Sequence, residues 1–470
     1  MKKMITLLLA LTMVFGLCAC AGSNNAGGET TAPAAATGLQ AGYGRVNITP
    51  DFSVGLGGYS DSETRRSEGF IDYIYITCVA ATYADETILI YTLDNCAAGP
   101  AVADRIRGVV TTATGIQGEK IFVGATHSHS CPSLGGDDAG NKYYNMVLEA
   151  SVEAAKTALE DRASAEMLVA VPEFKNMNFI RHYLLTDGTY AGSNFGDFSK
   201  GIVGYARETD PRMILLKFDR PEEKQDILMV NWQAHPDHGG ENGRTNISAD
   251  FPGAMREKLA KDTGMLVAYF TGASGDQNPM SRIEDDHHKL GMKAYGEKLA
   301  ELAMGSLDQL KPVEGEPIIK TNRVSFTVDI DHSWDHMLKE ANEVFDLWKG
   351  AGKSAGDALG KTYGFTSSYQ ARAIRTRAAM SLTTTLELNS FRIGGIGFIT
   401  GTMEMFSTTG KYARENSPFD TTFIITGCNG YIPCAEAYDY RSYEADTAIY
   451  AKGTAEKLSE QYVKMLNEIQ

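Results

Sequence analysis

The segment K-I-F-V-G-A-T-H-S-H-S-C-P, residues 120 to 132, ends an apolar run with two histidines one residue apart. In an extended chain, side chains two positions apart leave the same face, so His127 and His129 can serve one cavity. One imidazole would then hold a metal ion while the other acts as a second ligand or carries a proton. The same spacing fits two hydrogen-bonded loop histidines, and the motif alone does not separate these readings. His235, after I-L-M-V-N-W-Q-A, and Glu404, in G-T-M-E-M-F, stand at the ends of other apolar runs and add weight to the metal reading.

The elements that must position these groups share a pattern. Ile88 to Leu93 runs into Asp94, and Ile121 to Ala125 runs into the paired histidines. Ile227 to Ala234 runs into His235, Leu266 to Thr271 into G-A-S-G-D-Q-N-P, and Ile396 to Thr400 into G-T-M-E. The interior of an α/β sheet is filled, so only its rim presents side chains to a crevice, and a shared rim would gather these groups. Helical patterns alternate with the strands. Pro252 opens one in P-G-A-M-R-E-K-L-A-K, A-Y-G-E-K-L-A-E-L-A-M-G-S-L forms another, and A-E-K-L-S-E-Q-Y-V-K-M-L-N-E-I closes the chain. The fold class expected is α/β, a mixed sheet core flanked by helices. Trp334 to Ala379, rich in charge and helix formers, reads as a helical insertion between two strand regions.

Composition narrows the function classes. With 470 residues, 43% hydrophobic and 22% charged, the chain has ample material for a core. A formal charge of −15 and the lack of any basic stripe argue against a nucleic-acid partner. The first residues, M-K-K-M-I-T-L-L-L-A-L-T-M-V-F-G, join a basic start to a short apolar stretch, the layout of an export signal. Leu17-Cys18-Ala19-Cys20 looks like the lipobox of bacterial lipoproteins, in which cleavage leaves Cys20 as the lipidated N-terminus. The expected organisation is a signal peptide over 1–19, a flexible tether over 20–40 and one domain over 41–470. That domain would be exported and held by lipid at the outer face of a bacterial membrane. Five further cysteines are too sparse and odd in number for a disulfide framework, although Cys428 and Cys434 can pair locally. Nothing in the sequence signals an oligomeric state.

Taken together, A-G-Y-G-R-V-N-I-T-P, G-L-G-G-Y-S, A-T-H-S-H-S-C-P and N-W-Q-A-H-P resemble the catalytic domain of the neutral/alkaline (non-lysosomal) ceramidases. These are zinc-dependent amidases that cut the N-acyl bond of ceramide, and the resemblance covers essentially all of the mature chain. It implies a ceramidase-like fold and Zn²⁺ held by His127, His235, Glu404 and Tyr431. It implies that His129, Arg181 and Tyr443 surround the reacting carbonyl, His129 carrying a proton to the leaving amine and the other two donating to the oxyanion. A small-molecule or lipid N-acyl substrate and hydrolysis through metal-activated water follow. Asp94 and Asp276 read as orienters of the ligand imidazoles, and His182 and His238 as solvent-facing loop histidines in preference to substrate contacts.

Two departures from the family pattern stand out. Asn278 occupies the position of a serine given a catalytic role in ceramidases, and an amide can donate a hydrogen bond but cannot become an acyl-bearing nucleophile. The immunoglobulin-like domain that follows the catalytic domain in ceramidases has no counterpart before Gln470. Ceramide, another amide or an ester are therefore all open as substrate, as is a binding lipoprotein without turnover.

Overall fold

Three sheets carry the strand runs, each with one parallel pair at an edge. The computed structural model describes residues 38–59, 64–238, 244–283 and 290–470; the signal segment, Cys20 and most of the tether lie outside the described residues. The first sheet orders Ile121–Ala125, Glu86–Leu93, Tyr75–Tyr83, Gln40–Asn47 and Ala163–Ser164. The second orders Leu266–Thr271, Ile227–Trp232, Ile214–Asp219, Glu166–Ala170 and Lys311–Pro312. The third orders Ile319–Asp329, Thr383–Ile393, Ile396–Gly401 and Thr421–Thr426. Most neighbours are antiparallel, but Glu86–Leu93 pairs parallel with Ile121–Ala125, Ile227–Trp232 with Leu266–Thr271, and Ile396–Gly401 with Thr421–Thr426. Parallel strands are covered on both faces, which is why these segments read as unbroken apolar runs. Every residue of Ile227–Trp232 and of Thr421–Thr426 is buried.

The parallel edges meet on a common core. Phe122 of the first sheet stacks on Phe391 of the third with ring centroids 4.1 Å apart, and Phe391 stacks on Phe398 at 4.3 Å. Phe270 of the second sheet meets Phe423 of the third at 5.6 Å. Each ring withdrawn from water contributes about 1.5–3 kcal/mol, so this aromatic ladder is a principal tie among the sheets. Gly124 makes the approach possible: a Cβ there would lie 2.5 Å from Ile425 Cγ2.

Helices cover the outer faces. α1 (Pro100–Thr114) and α2 (Asp138–Glu160) pack on the first sheet, and α3 (Asp250–Thr263) and α4 (Met292–Met304) on the second. α3 begins at Asp250, two residues before the proline that marks its first turn in the sequence. The expected helical insertion consists of α5 (Leu338–Ala351), α6 (Lys353–Thr362) and α7 (Ser368–Ala378). It forms the connection between the antiparallel strands Ile319–Asp329 and Thr383–Ile393 and has its own small core of Ala341, Val344, Phe365, Ala371 and Ile374. α8 (Ser407–Glu415) and the C-terminal helix Thr454–Ile469 complete the third layer. The architecture is the expected α/β class with helical flanks, although its strands divide among separate sheets. Among the described residues, no helix is long and apolar enough to cross a membrane.

Candidate metal centre and catalytic cavity

One strand of each parallel pair ends toward a common point: His127 follows Ile121–Ala125, His235 follows Ile227–Trp232 and Glu404 follows Ile396–Gly401. The strand Ile121–Ala125 stops before the histidines. His127 lies in the following loop with φ +70, a left-handed backbone rarely taken by a residue with a Cβ. Strand alternation is therefore not what turns His127 and His129 toward one cavity; the loop does it, with the two rings edge to face at 4.8 Å. Backbone hydrogen bonds fasten the rim loops to one another. His129 N–H donates to Pro236 O at 3.2 Å, His235 N–H to Gln277 O at 2.8 Å, and Glu404 N–H to Gly430 O at 2.8 Å. Gly58, in the G-L-G-G-Y-S segment, runs so close that a Cβ would sit 2.7 Å from His129 Cα, and its φ of +98 excludes most other residues.

His127, His235 and Glu404 are all buried, and their donor atoms gather within 4.8 Å of one another. His127 Nε2 lies 2.9 Å from His235 Nε2 and 3.3 Å from Glu404 Oε2, and His235 Nε2 lies 4.0 Å from the same oxygen. The far side of each ring identifies its proton. His127 Nδ1 is 2.5 Å from Cys96 O and His235 Nδ1 is 3.3 Å from Ser274 O, carbonyls that only accept. With Nδ1–H donating to those carbonyls, both Nε2 atoms present bare lone pairs to each other and to a carboxylate. Glu404 Oε2 is buried and accepts no hydrogen bond. Among the described residues only His129 Nε2, 3.3 Å from His127 Nε2, comes within hydrogen-bond reach of these acceptors, and so crowded a buried set is unfavourable until a cation fills it. Tetrahedral zinc, with ligand bonds near 2.0–2.1 Å, separates its ligand atoms by about 3.3 Å, close to the spacing here. These residues fit the ion that the sequence resemblance implies. A second donor group, Cys96 with His127 and His129, shares the His127 imidazole with the first.

Electrostatics follow the same logic. Burial pushes His235 well below the usual histidine range, reinforced by the neighbouring His127. Burial does the same at His129, holding it at about 3, so its ring is neutral near neutral pH. At His127 burial is the largest influence, but the Glu404 carboxylate, Cys428 and the hydrogen bond to Cys96 together outweigh it and draw positive charge to this point. Tyr431 stands in register with Glu404 across two short parallel strands, Glu404–Met405 and Tyr431–Ile432. Burial and the Glu404 carboxylate hold its phenol well above its ordinary value, so only a strong local positive charge would favour its phenolate.

A cavity of about 540 Å³ opens in front of this cluster, and His129, His235, Arg181, Asn278, Tyr431 and Tyr443 line it. Arg181 is buried, its Nε 2.7 Å from Glu444 Oε1 and its guanidinium over the Tyr431 ring at 5.3 Å. Its Nη2 is buried without a hydrogen-bond partner, a donor available to the cavity. Tyr443 sits edge to face with Tyr431 at 6.1 Å. Asn278 Oδ1 is likewise without a partner.

Several expectations are corrected. Asp94 does not touch an imidazole. Its carboxylate pairs with Arg256 at 2.7 and 3.1 Å, tying the first sheet to α3. Asp276 accepts from Ser407 N–H at 2.7 Å, from its hydroxyl at 2.8 Å and from Arg207 at 2.9 Å, anchoring the start of α8 just after Glu404. Backbone carbonyls orient the imidazoles instead. His182 and His238 are buried, not solvent-facing: His182 bridges Tyr440 and Glu444 at 2.7 Å each, and His238 Nδ1 meets Asp250 at 2.9 Å. Cys428 and Cys434 are both free thiols. Sequence reading missed Glu444 and Asp237. Glu444 joins Arg181 to His182, while Asp237 accepts from the Tyr59 hydroxyl and faces His129 Nδ1 at 3.8 Å. Glu444 directly follows Tyr443 in R-S-Y-E-A, but only a long-range contact gives it meaning.

No protein-family model matches the chain, and no curated protein matches it. Solved structures do. Neutral ceramidase from Pseudomonas aeruginosa superposes with a TM-score of 0.67 at 16% identity, covering 92% of this chain and 74% of that one. A structure of ceramidase complexed with C2 gives the same TM-score and identity, covering 92% of this chain and 75% of that one. The likeness shows the fold: this chain has the neutral ceramidase-like α/β architecture.

Proposed function

We propose that the protein is a zinc-dependent amidohydrolase that cleaves the N-acyl bond of ceramide or a related N-acyl compound. The observation that carries this reading is the buried convergence of His127 Nε2, His235 Nε2 and the unpartnered Glu404 Oε2 beside an open cavity. Those three residues, with Tyr431 beside them, would hold the ion. Bound there, Zn²⁺ supplies Lewis-acid polarisation of the carbonyl and an activated water. The chain's own residues do the rest. Arg181, with its spare Nη2–H, and the Tyr443 hydroxyl donate to the oxygen that gains charge as the carbonyl is attacked. Neutral His129 takes a proton and returns it to the departing nitrogen, since an amine leaves poorly without one. Asn278 can position the substrate through hydrogen bonds but offers no nucleophile.

Metal analysis of the purified mature chain should find about one zinc per chain, and His127→Ala should lose both the metal and the turnover. The activity readout is free amine from fluorescent N-acylsphingosine and from short N-acyl compounds. Undiminished cleavage after complete chelation, or no cleavage of any amide by the zinc-loaded chain, would overturn the reading. We also propose export and lipid anchoring through Cys20, on the strength of the lipobox-like L-C-A-C. Fractionation should find the wild type with membranes and Cys20→Ser released from them; equal release of both would sink the anchor.

A further inference from the structure

The helical insertion, for which the reaction above has no use, builds the outer wall of the cavity. Lys353 opens α6 and Tyr369 and Arg372 project from one side of α7; all three line the cavity. The wall is braced. Asp357 accepts from the Ser368 N–H at 2.8 Å and its hydroxyl at 2.7 Å and pairs with Lys353 at 2.7 Å, tying α6 to α7. Tyr369 meets Tyr443 edge to face at 5.5 Å, which joins the insertion to the catalytic side of the cavity.

Two properties of this lining bear on the substrate. The first is the lack of aliphatic surface: among the described residues no leucine, isoleucine, valine, methionine or phenylalanine lines the cavity, and its large rings come from Tyr59, Tyr369, Tyr431 and Tyr443 together with the histidines. A long hydrocarbon chain binds by leaving water for apolar walls, and this cavity offers few. The second is charge. In a chain of net charge −15, Arg181, Arg244, Lys353 and Arg372 line the cavity against a single carboxylate among the described residues, Asp237. Glu444 and Asp357 balance Arg181 and Lys353. Arg372 forms no ion pair with any described residue; its guanidinium is held 5.5 Å from the ring centroids of both Trp348 and Tyr369 and is exposed to solvent. A guanidinium steadied by aromatic rings and free at its N–H edge suits the planar, bidentate recognition of a carboxylate or phosphate.

Building on the amidohydrolase reading, we propose that the cavity takes a short-chain N-acyl compound carrying an anionic group, which seats on Arg372 while the acyl amide faces the histidines. Three N-acetyl compounds of matched length test it: N-acetylethanolamine, which is neutral, N-acetyl-β-alanine, and the phosphate ester of N-acetylethanolamine. Release of free amine gives kcat/KM for each with the zinc-loaded chain, beside N-dodecanoylsphingosine in detergent micelles. Calorimetry measures binding of the same compounds to the metal-free chain.

At least one anionic compound should exceed the neutral one by tenfold or more, and the better of the two identifies the anion. Arg372→Gln should reduce that ratio and Arg372→Glu should abolish it. Lys293→Glu, a matched charge change at a side chain 79% exposed on α4, should leave the ratio unaltered. Equal handling of charged and neutral compounds, or a preference for the sphingosine amide, would overturn the inference and leave the hydrolase reading standing. Binding of the anions that depends on Arg372, with no cleavage of any amide, would instead remove the hydrolase reading and keep the ligand class.

Discussion

Glu444 shows how one buried charge holds the candidate cavity in shape. It is almost wholly enclosed, yet pairs with Arg181 Nε at 2.7 Å and with His182 Nε2 at 2.7 Å, and so fixes the arginine that faces the cavity. Burial alone would raise its carboxyl, but His182 and Arg181 outweigh it and hold the group at about 2, below its ordinary 4.5. A depressed carboxylate adds stability that is complete above the unfolded value and vanishes as pH falls through the folded one. The window is therefore about 4.5 down to about 2, and a shift of that size corresponds to about 3 kcal/mol. Denaturant titrations should find Glu444→Gln less stable by about that amount near neutral pH, with the gap closing toward pH 2. A gap that persists unchanged in acid would mean the side chain acts by packing rather than by charge. Nothing local in the sequence marks Glu444, because its partners lie far back along the chain. His127, His235 and Glu404 were legible since each ends an apolar run. The proton positions that make them acceptors depend on the carbonyls of Cys96 and Ser274, which no side-chain pattern encodes.

At the scale of elements, unbroken apolar runs were the readable signal, for a simple reason: a parallel strand covered on both faces cannot alternate. All five runs singled out in the sequence are strands, and each lies in one of the three parallel pairs. How they divide among sheets was not readable. The tie between the first and third sheets is Phe122 against Phe391, residues whose identities suit any buried strand. The closeness of their parallel edges rests on Gly124, where the missing side chain leaves room for Ile425. The insertion was legible as helical from composition, while its task was hidden. α6 and α7 face the cavity because Asp357 and Ser368 fasten them together and Tyr369 leans on Tyr443, contacts between segments remote from the histidines.

For the molecule as a whole, the donor set couples the three layers. His127 follows the first sheet, His235 the second and Glu404 the third, so a single ion would bridge elements that otherwise meet through side-chain packing and a few rim hydrogen bonds. A ligand that binds only the folded chain stabilises it in proportion to the logarithm of its excess over the dissociation constant, about 2.7 kcal/mol at a hundredfold excess. Because the sites of attachment span all three layers, that stabilisation should reach the entire domain rather than one lobe. Calorimetry of the purified mature chain should accordingly show zinc raising Tm by a few degrees, with the transition moving as a unit. Removing the zinc with a chelator should return the original profile, and His127→Ala should be insensitive to both treatments. Were zinc to sharpen or shift only part of a divided transition, the ion would be fastening a local loop, and the convergence of three sheets on one centre would owe its stability to the aromatic core alone.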